Sequence, residues 1–249
     1  MTNVAAKPEA TTGESAVKPK LAKQFVNFAV YEVEPAWRRL PAGQREEGKK
    51  EFVEVIQKFQ DEKRCQILTY STMGMRADGD IMLWIIAYEL EAVQDLATEL
   101  AKTGLGKYMH RTHSFLSMTK RSMYLDRFNP EHQEDRVHLI PGKHKYLFVY
   151  PFVKKRDWYV LPIADRQRFM DEHIRVGMKY PSIKLNTTYS FGLDDQDFVV
   201  AFETDIPSDF LDLVQELRET EASMYTLRDT PILTCVYKEP RKLVDTLGG

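Results

Sequence analysis

The chain has 249 residues, 43% of them hydrophobic and 29% charged, with a formal net charge of −2. That is enough for one large or two ordinary folded domains, and the near-neutral balance argues against the basic face that nucleic-acid binding requires. The longest apolar runs, such as "IMLWIIAY" from Ile81, are far too short to span a bilayer, and no apolar leader opens the chain, so the expected compartment is the cytoplasm.

Residues 1–23, opening "MTNVAAKPEATTGESAVKPK", hold almost nothing large and apolar and read as a disordered tail. Cys65 and Cys235 stand far apart, without metal-ligand spacing, and read as two free thiols. From residue 24 the pattern runs strand, helix, two strands, helix, strand, near 24–34, 45–61, 64–73, 81–90, 91–103 and 111–124. A polar stretch, 126–142, reads as a connector. The same order then returns near 145–154, 163–178, 182–191, 197–204, 207–219 and 231–238, followed by a short tail at 241–249. Pro41 and Pro162 suit the first turns of their helices, and Ser208 suits an N-cap.

The second half repeats the first. "WRRLPAGQR" from Trp37 matches "WYVLPIADR" from Trp158, and "LATELAKTGLGKYMHR" from Leu96 matches "LVQELRETEASMYTLR" from Leu213. Between them "IIAYE" is matched to "VVAFE". The order βαββαβ is ferredoxin-like, an α+β fold, and two such units (24–125 and 143–240) are expected to pair their sheets into a dimeric α+β barrel within one chain.

A repeat is its own control: positions that the scaffold needs should match, and a site present in one half should appear as a difference. Trp37 and Trp158 match and read as packing residues, whereas His173 stands against Phe52, Tyr150 against Ala29 and Arg218 against Ala101. His173 shares a helix face with Phe169, Met170 and Ile174, the setting of an ordinary hydrogen-bonded core histidine or of a lone ligand. Its helix offers no second donor at metal-cluster spacing, and a single imidazole suits haem, where the porphyrin supplies four further donors. Arg218 is either a snorkelling surface arginine or a carboxylate clamp. Tyr150, Phe152 and Lys154 alternate onto one strand face, where a phenol and an ammonium would suit an acidic, oxidisable ligand. His110 and His113 fall in a strand and face opposite ways, so they do not form a joint metal site. His132, His138 and His144 lie in or beside the connector and read as exposed.

The run "VYPFVKKRDWYVLPIADRQRFMDEH", with "GLDDQDFVVAFE" and "LRETEASMYTLRDTPI", resembles the chlorite dismutase-like haem proteins over about residues 24–240, and among them the coproheme decarboxylases, above all the actinobacterial group. The resemblance implies a homopentamer that holds iron coproporphyrin III (coproheme) in its C-terminal half and converts it with hydrogen peroxide to haem b. It further implies His173 as iron ligand, Tyr150 as the residue oxidised to a radical, Lys154, Arg218 and Ser223 as propionate contacts, with Lys154 also serving the second decarboxylation, and His113 as distal base. Phe152 and His113 fit the actinobacterial pattern, and Leu185 stands where chlorite-degrading members carry an arginine. A ferrochelatase is the expected donor of substrate. The alternatives are a chlorite dismutase-like haem peroxidase and a non-catalytic haem carrier or sensor.

Overall fold

A computed structural model describes residues 22–124, 138–142 and 144–248. The first half contains β1 (Phe25–Val33), α1 (Ala42–Asp61), β2 (Gln66–Ser71), β3 (Ile81–Ala87), α2 (Leu90–Lys102) and β4 (Met109–Met118). The second contains β5 (Tyr146–Lys154), a short α3 (Arg156–Val160), α4 (Ile163–Gly177), β6 (Ile183–Tyr189), β7 (Phe198–Thr204), α5 (Pro207–Arg218), β8 (Thr226–Arg228), β9 (Leu233–Tyr237) and α6 (Pro240–Asp245).

All strand pairing among these strands is antiparallel. The order β7-β6-β4-β1-β3-β2-β9-β5, with β7 also paired to β5, makes a closed ring of eight strands, and β8 hangs from the end of β5. The seams between halves are short: Tyr70↔Tyr237 and Ser71↔Val236 join β2 to β9, and Met118↔Tyr189 joins β4 to β6. The chain is therefore a mixed α+β fold built on an antiparallel sheet.

Alternation along the strands divides the apolar residues into two layers. Val26, Phe28, Val30, Met82, Trp84 and Ile86 of the first half meet Leu147, Val149, Val199, Ala201, Leu233 and Cys235 of the second inside the ring. The outward residues of the first half, Ala29, Tyr31, Ile81, Leu83 and Ile85, are covered by Phe52, Ile56 and Phe59 of α1 and by Ala92, Leu96 and Leu100 of α2, at three- and four-residue spacing. Both faces of β3 are buried, so its sequence is an unbroken apolar run.

Several expectations need correction. Ser208 is not an N-cap: α5 starts at Pro207, whose missing N–H costs nothing there, and Ser208 lies inside the first turn. Pro41 and Pro162 occupy the positions just before their helices. Strand β4 ends at Met118, short of residue 124. Residues 1–21 and 125–137 of the expected tail and connector lie outside the described residues. The connector's end is fastened: the Leu139 N–H donates to Gln24 Oε1 at 2.7 Å and the Leu139 side chain is buried inside the ring.

The "IIAYE"/"VVAFE" equivalence is out of register by three residues. β1 pairs Ala29 with Leu83 and β5 pairs Tyr150 with Val200, so Ile86 corresponds to Glu203. Glu203 thus puts a carboxylate where the first half has an interior isoleucine. The buried charge is met by the Gly142 N–H at 2.9 and 2.7 Å and by the Asn186 amide at 2.8 Å.

The expected tail at 241–249 is mostly a structural element. Helix α6 carries Leu243 and Val244, and Leu247 follows it; all three are fully buried in the core of the first half. Leu243→Ala is expected to lower unfolding stability by about 2–4 kcal/mol. The urea midpoint checks this, and an unchanged midpoint would place α6 outside the cooperative core.

Candidate functional site

The outward face of the second sheet is built from Phe148, Tyr150 and Phe152 of β5 with their partners Phe202, Val200 and Phe198 of β7. Helix α5 closes one side of it tightly. Phe210 stacks on Phe148 at 4.1 Å, an arrangement contributing about 1 kcal/mol beyond its area, and Leu213, Val214 and Leu217 complete the cover.

Helix α4 is held differently from its counterpart α1. In the first half, Gly48 lets α1 come so close to the following turn that a Cβ there would lie 2.7 Å from the Leu105 amide nitrogen. At the equivalent position of the second half stands Phe169, whose ring sits beside Trp158 (6.1 Å) and Tyr225 (5.7 Å). An aromatic packing replaces the close backbone approach there: Phe169 lies against Trp158 and against Ala222 of the turn at Glu221–Tyr225. Polar straps at the rim complete its attachment: Arg168 bridges to Glu221 at 2.8 Å, the Glu221 N–H donates to Glu172 at 3.0 Å, and Tyr180 donates to Glu216 at 2.6 Å.

Phe52, Ile56 and Phe59 each contribute roughly 2 kcal/mol of burial to α1, whereas the Arg168–Glu221 strap of α4 is a surface ion pair, which contributes little. His173, where α1 has fully buried Phe52, is surrounded by protein yet keeps part of its surface open. Leu185 shares the Tyr150 face through its pairing with Phe202 and remains 49% exposed. A half-open apolar cleft therefore lies between α4 and the sheet.

Three groups in or beside this cleft are tuned by burial. Desolvation and then the Lys154 charge lower the His173 pKa to about 4, so its imidazole is neutral and its lone pair free at pH 7. Lys154 itself is lowered to about 8 by burial. It has no carboxylate partner among the described residues: Nζ donates to the Ala222 carbonyl at 2.8 Å and lies 4.3 Å from the Trp158 ring centre. The Tyr150 pKa is raised, by burial first and by the Asp229 charge second, with Arg218 opposing. Among the described residues its hydroxyl has no hydrogen-bond partner.

Of the expected site residues, His173 and Lys154 share one electrostatic environment and Tyr150 and Arg218 another, while Ser223 meets Arg218 only at its backbone. Arg218 is largely exposed and lies 3.3 Å from Asp229, while the Ser223 hydroxyl donates to the Arg218 carbonyl at 2.7 Å. Trp37 and Trp158 are both buried packing residues.

His113 is not brought to this group. It pairs with Val30 in the sheet and stacks near Phe115 on the ring-facing side, and its Nε2 lies 2.8 Å from Asp78, itself bound by Arg76. His138 lies half-buried against Tyr88, His144 lies 3.1 Å from Asp205, and His132 is outside the described residues.

Two acidic residues were missed by sequence reasoning. Glu203 was hidden by the three-residue slip. Asp229 lies just before the strand expected at 231–238, between β9 and the unexpected short strand β8; the signal was Pro231, which cannot donate to a ladder.

The sequence profile of the chlorite dismutase family matches residues 45–238. A coproheme decarboxylase from Mycolicibacterium smegmatis is 28% identical over 216 residues, 85% of this chain and 88% of that protein. The chlorite dismutase of Candidatus Nitrospira defluvii in complex with imidazole superposes with a TM-score of 0.81 at 23% identity, covering 90% of this chain and 94% of the other. A haem-binding protein from Thermus thermophilus superposes with a TM-score of 0.78 at 22% identity, covering 91% and 96%. With most of its length matched by the profile and its fold shared with these structures, the chain is a member of the chlorite dismutase family.

Proposed function

We propose that the chain binds iron coproporphyrin III in the cleft beneath α4 and converts it to haem b by two successive peroxide-dependent decarboxylations. In this reading the two halves are ferredoxin-like units closed edge to edge into an α+β barrel. The assembly is taken to be a homopentamer and the donor of substrate a ferrochelatase, both on family resemblance.

The observation that carries the reading is that α4 and β5 present a neutral imidazole, an ammonium with no carboxylate partner among the described residues, and a phenol. An iron porphyrin with four propionates fits that donor set, offering iron to the imidazole, carboxylates to the cations and flat apolar faces to the walls. The likeness to the Mycolicibacterium smegmatis coproheme decarboxylase supports it. When bound, the iron porphyrin accepts electrons after reaction with peroxide.

The chain's residues do the rest. His173 presents its lone pair without first losing a proton. Lys154 holds one propionate by charge and keeps it near the aromatic wall, and Arg218 and Ser223 hold others at the rim. Tyr150 gives up its phenolic hydrogen and, as a radical, takes a hydrogen atom from the side chain of a neighbouring propionate. Loss of carbon dioxide then leaves a vinyl group. Each propionate yields two electrons and one proton, and one peroxide takes up the two electrons. Leu185 offers no cation to an anionic oxidant, which disfavours the chlorite-degrading alternative.

Purified protein loaded with ferric coproheme and titrated with peroxide should lose two carboxyl groups in steps, seen by mass spectrometry, and Tyr150→Phe should bind coproheme normally and yield no product. Binding without mass loss would make the chain a carrier or peroxidase, and no binding would return His173 to the status of a core residue.

The pH dependence of binding has a definite sign. Lys154 is charged below about pH 8 and neutral above it, whereas His173 stays neutral down to about pH 4. Coproheme affinity should therefore be flat through neutrality and fall as pH rises through about 8. Lys154→Met should remove that fall; its persistence in the variant would assign it to another group.

A further inference from the structure

In the first half, β4 runs unbroken from Met109 to Met118. In the second half the corresponding strand is split into β8 and β9, and both pieces pair with β5: Arg228 with Val153, and Leu233 with Val149. Residues Asp229 to Ile232 cross the gap between them. They therefore run alongside Tyr150, Pro151 and Phe152, where β5 has no ladder partner on that side.

The crossing segment is anchored at both ends. Ile232 packs in the same apolar cluster as Tyr150, and its carbonyl accepts from Arg76 Nη1 at 3.3 Å. Asp229 is held from α5 by Arg218 at 3.3 Å, and its side chain is 31% exposed, in contact with solvent at its outer edge. The charged groups acting on the Tyr150 phenol are these two, Asp229 from the crossing segment and Arg218 from α5.

A buried phenol that loses an electron becomes a strong acid, and the radical persists as a neutral species only if its proton has somewhere to go. We propose that Asp229 accepts the phenolic proton of Tyr150, directly or across one water, as one electron passes from Tyr150 to the peroxide-oxidised porphyrin iron. This rests on the decarboxylase reading above and adds a proton acceptor to it.

The step balances. Phenol and carboxylate become tyrosyl radical and carboxylic acid, with one electron passed to the iron. The radical then takes a hydrogen atom from the propionate and is a phenol again. The carbon radical gives the second electron to the iron and loses carbon dioxide, leaving the vinyl group. The one proton that oxidation of each propionate releases is the proton on Asp229, which its exposed edge passes to solvent, while reduction of the peroxide to two waters draws two protons from solvent.

The test uses the full chain with Asp229→Asn and Asp229→Glu. Without porphyrin, the Tyr150 phenol is titrated by NMR of ring-labelled tyrosine, its signal identified by its loss in Tyr150→Phe. Asp229→Asn should let the phenol ionise at lower pH than in the parent chain. Loaded with ferric coproheme, Asp229→Asn should bind with unchanged affinity and optical spectrum but decarboxylate about 10- to 100-fold more slowly, with an altered solvent deuterium isotope effect. Asp229→Glu should recover most of the rate. Parent-like rate and isotope effect in Asp229→Asn would overturn the assignment and send the proton to the substrate carboxylate or bulk water. Absence of product from the parent chain would instead overturn the decarboxylase reading, and this inference with it.

Discussion

The exchange of a glycine for a phenylalanine at one helix position marks how differently the two halves pack the helix after their first strand. Gly48 allows α1 to lie against the turn behind it, and the helix then buries Phe52 completely. Phe169 cannot be accommodated that way, so α4 rides on an aromatic cluster with Trp158 and Tyr225 and is tied down at its rim by ion pairs. In that second arrangement His173 and Leu185 keep part of their surface open, and Lys154 is held by a carbonyl and a ring without a carboxylate among the described residues.

The ring of strands keeps this loosened half from costing the fold its cohesion. Each strand of the second half presents one face to the shared interior, where Leu147, Val149, Val199 and Ala201 lock against residues of the first half, and the other to the cleft. Stability and site are thereby assigned to opposite faces of the same strands. Among the described residues of the first half both layers are filled, a division expected where a functional site departs from close packing.

The sequence was legible where the two halves could be compared with a fixed frame. Trp37 and Trp158, each followed by Leu-Pro and Arg, set the register in which His173 and Tyr150 appear as departures, and the structure sets both about the cleft. Legibility failed where the frame slipped or the pattern was two-sided. Between the frames, "IIAYE" and "VVAFE" are alike enough to hide a three-residue offset, and with it the interior carboxylate of Glu203. For His113 the strand pattern was two-sided: alternation says that neighbours face apart, but not which side is the interior, and the pairing with Val30 sets it facing the ring. Helix α6 escaped notice because its apolar content is a few residues in a charged segment, too little for periodicity to register.

Helix α6 also bears on the order in which the molecule can be completed. The chain leaves the first half at β4, builds the whole of the second, and only then returns Leu243, Val244 and Leu247 to the first core. On a ribosome, where the N-terminal part emerges first, the earlier half must wait with part of its core unfilled until residues 243–247 clear the exit tunnel. The two halves, related as copies, are therefore unequal as folding units: the one made first is the one that closes last.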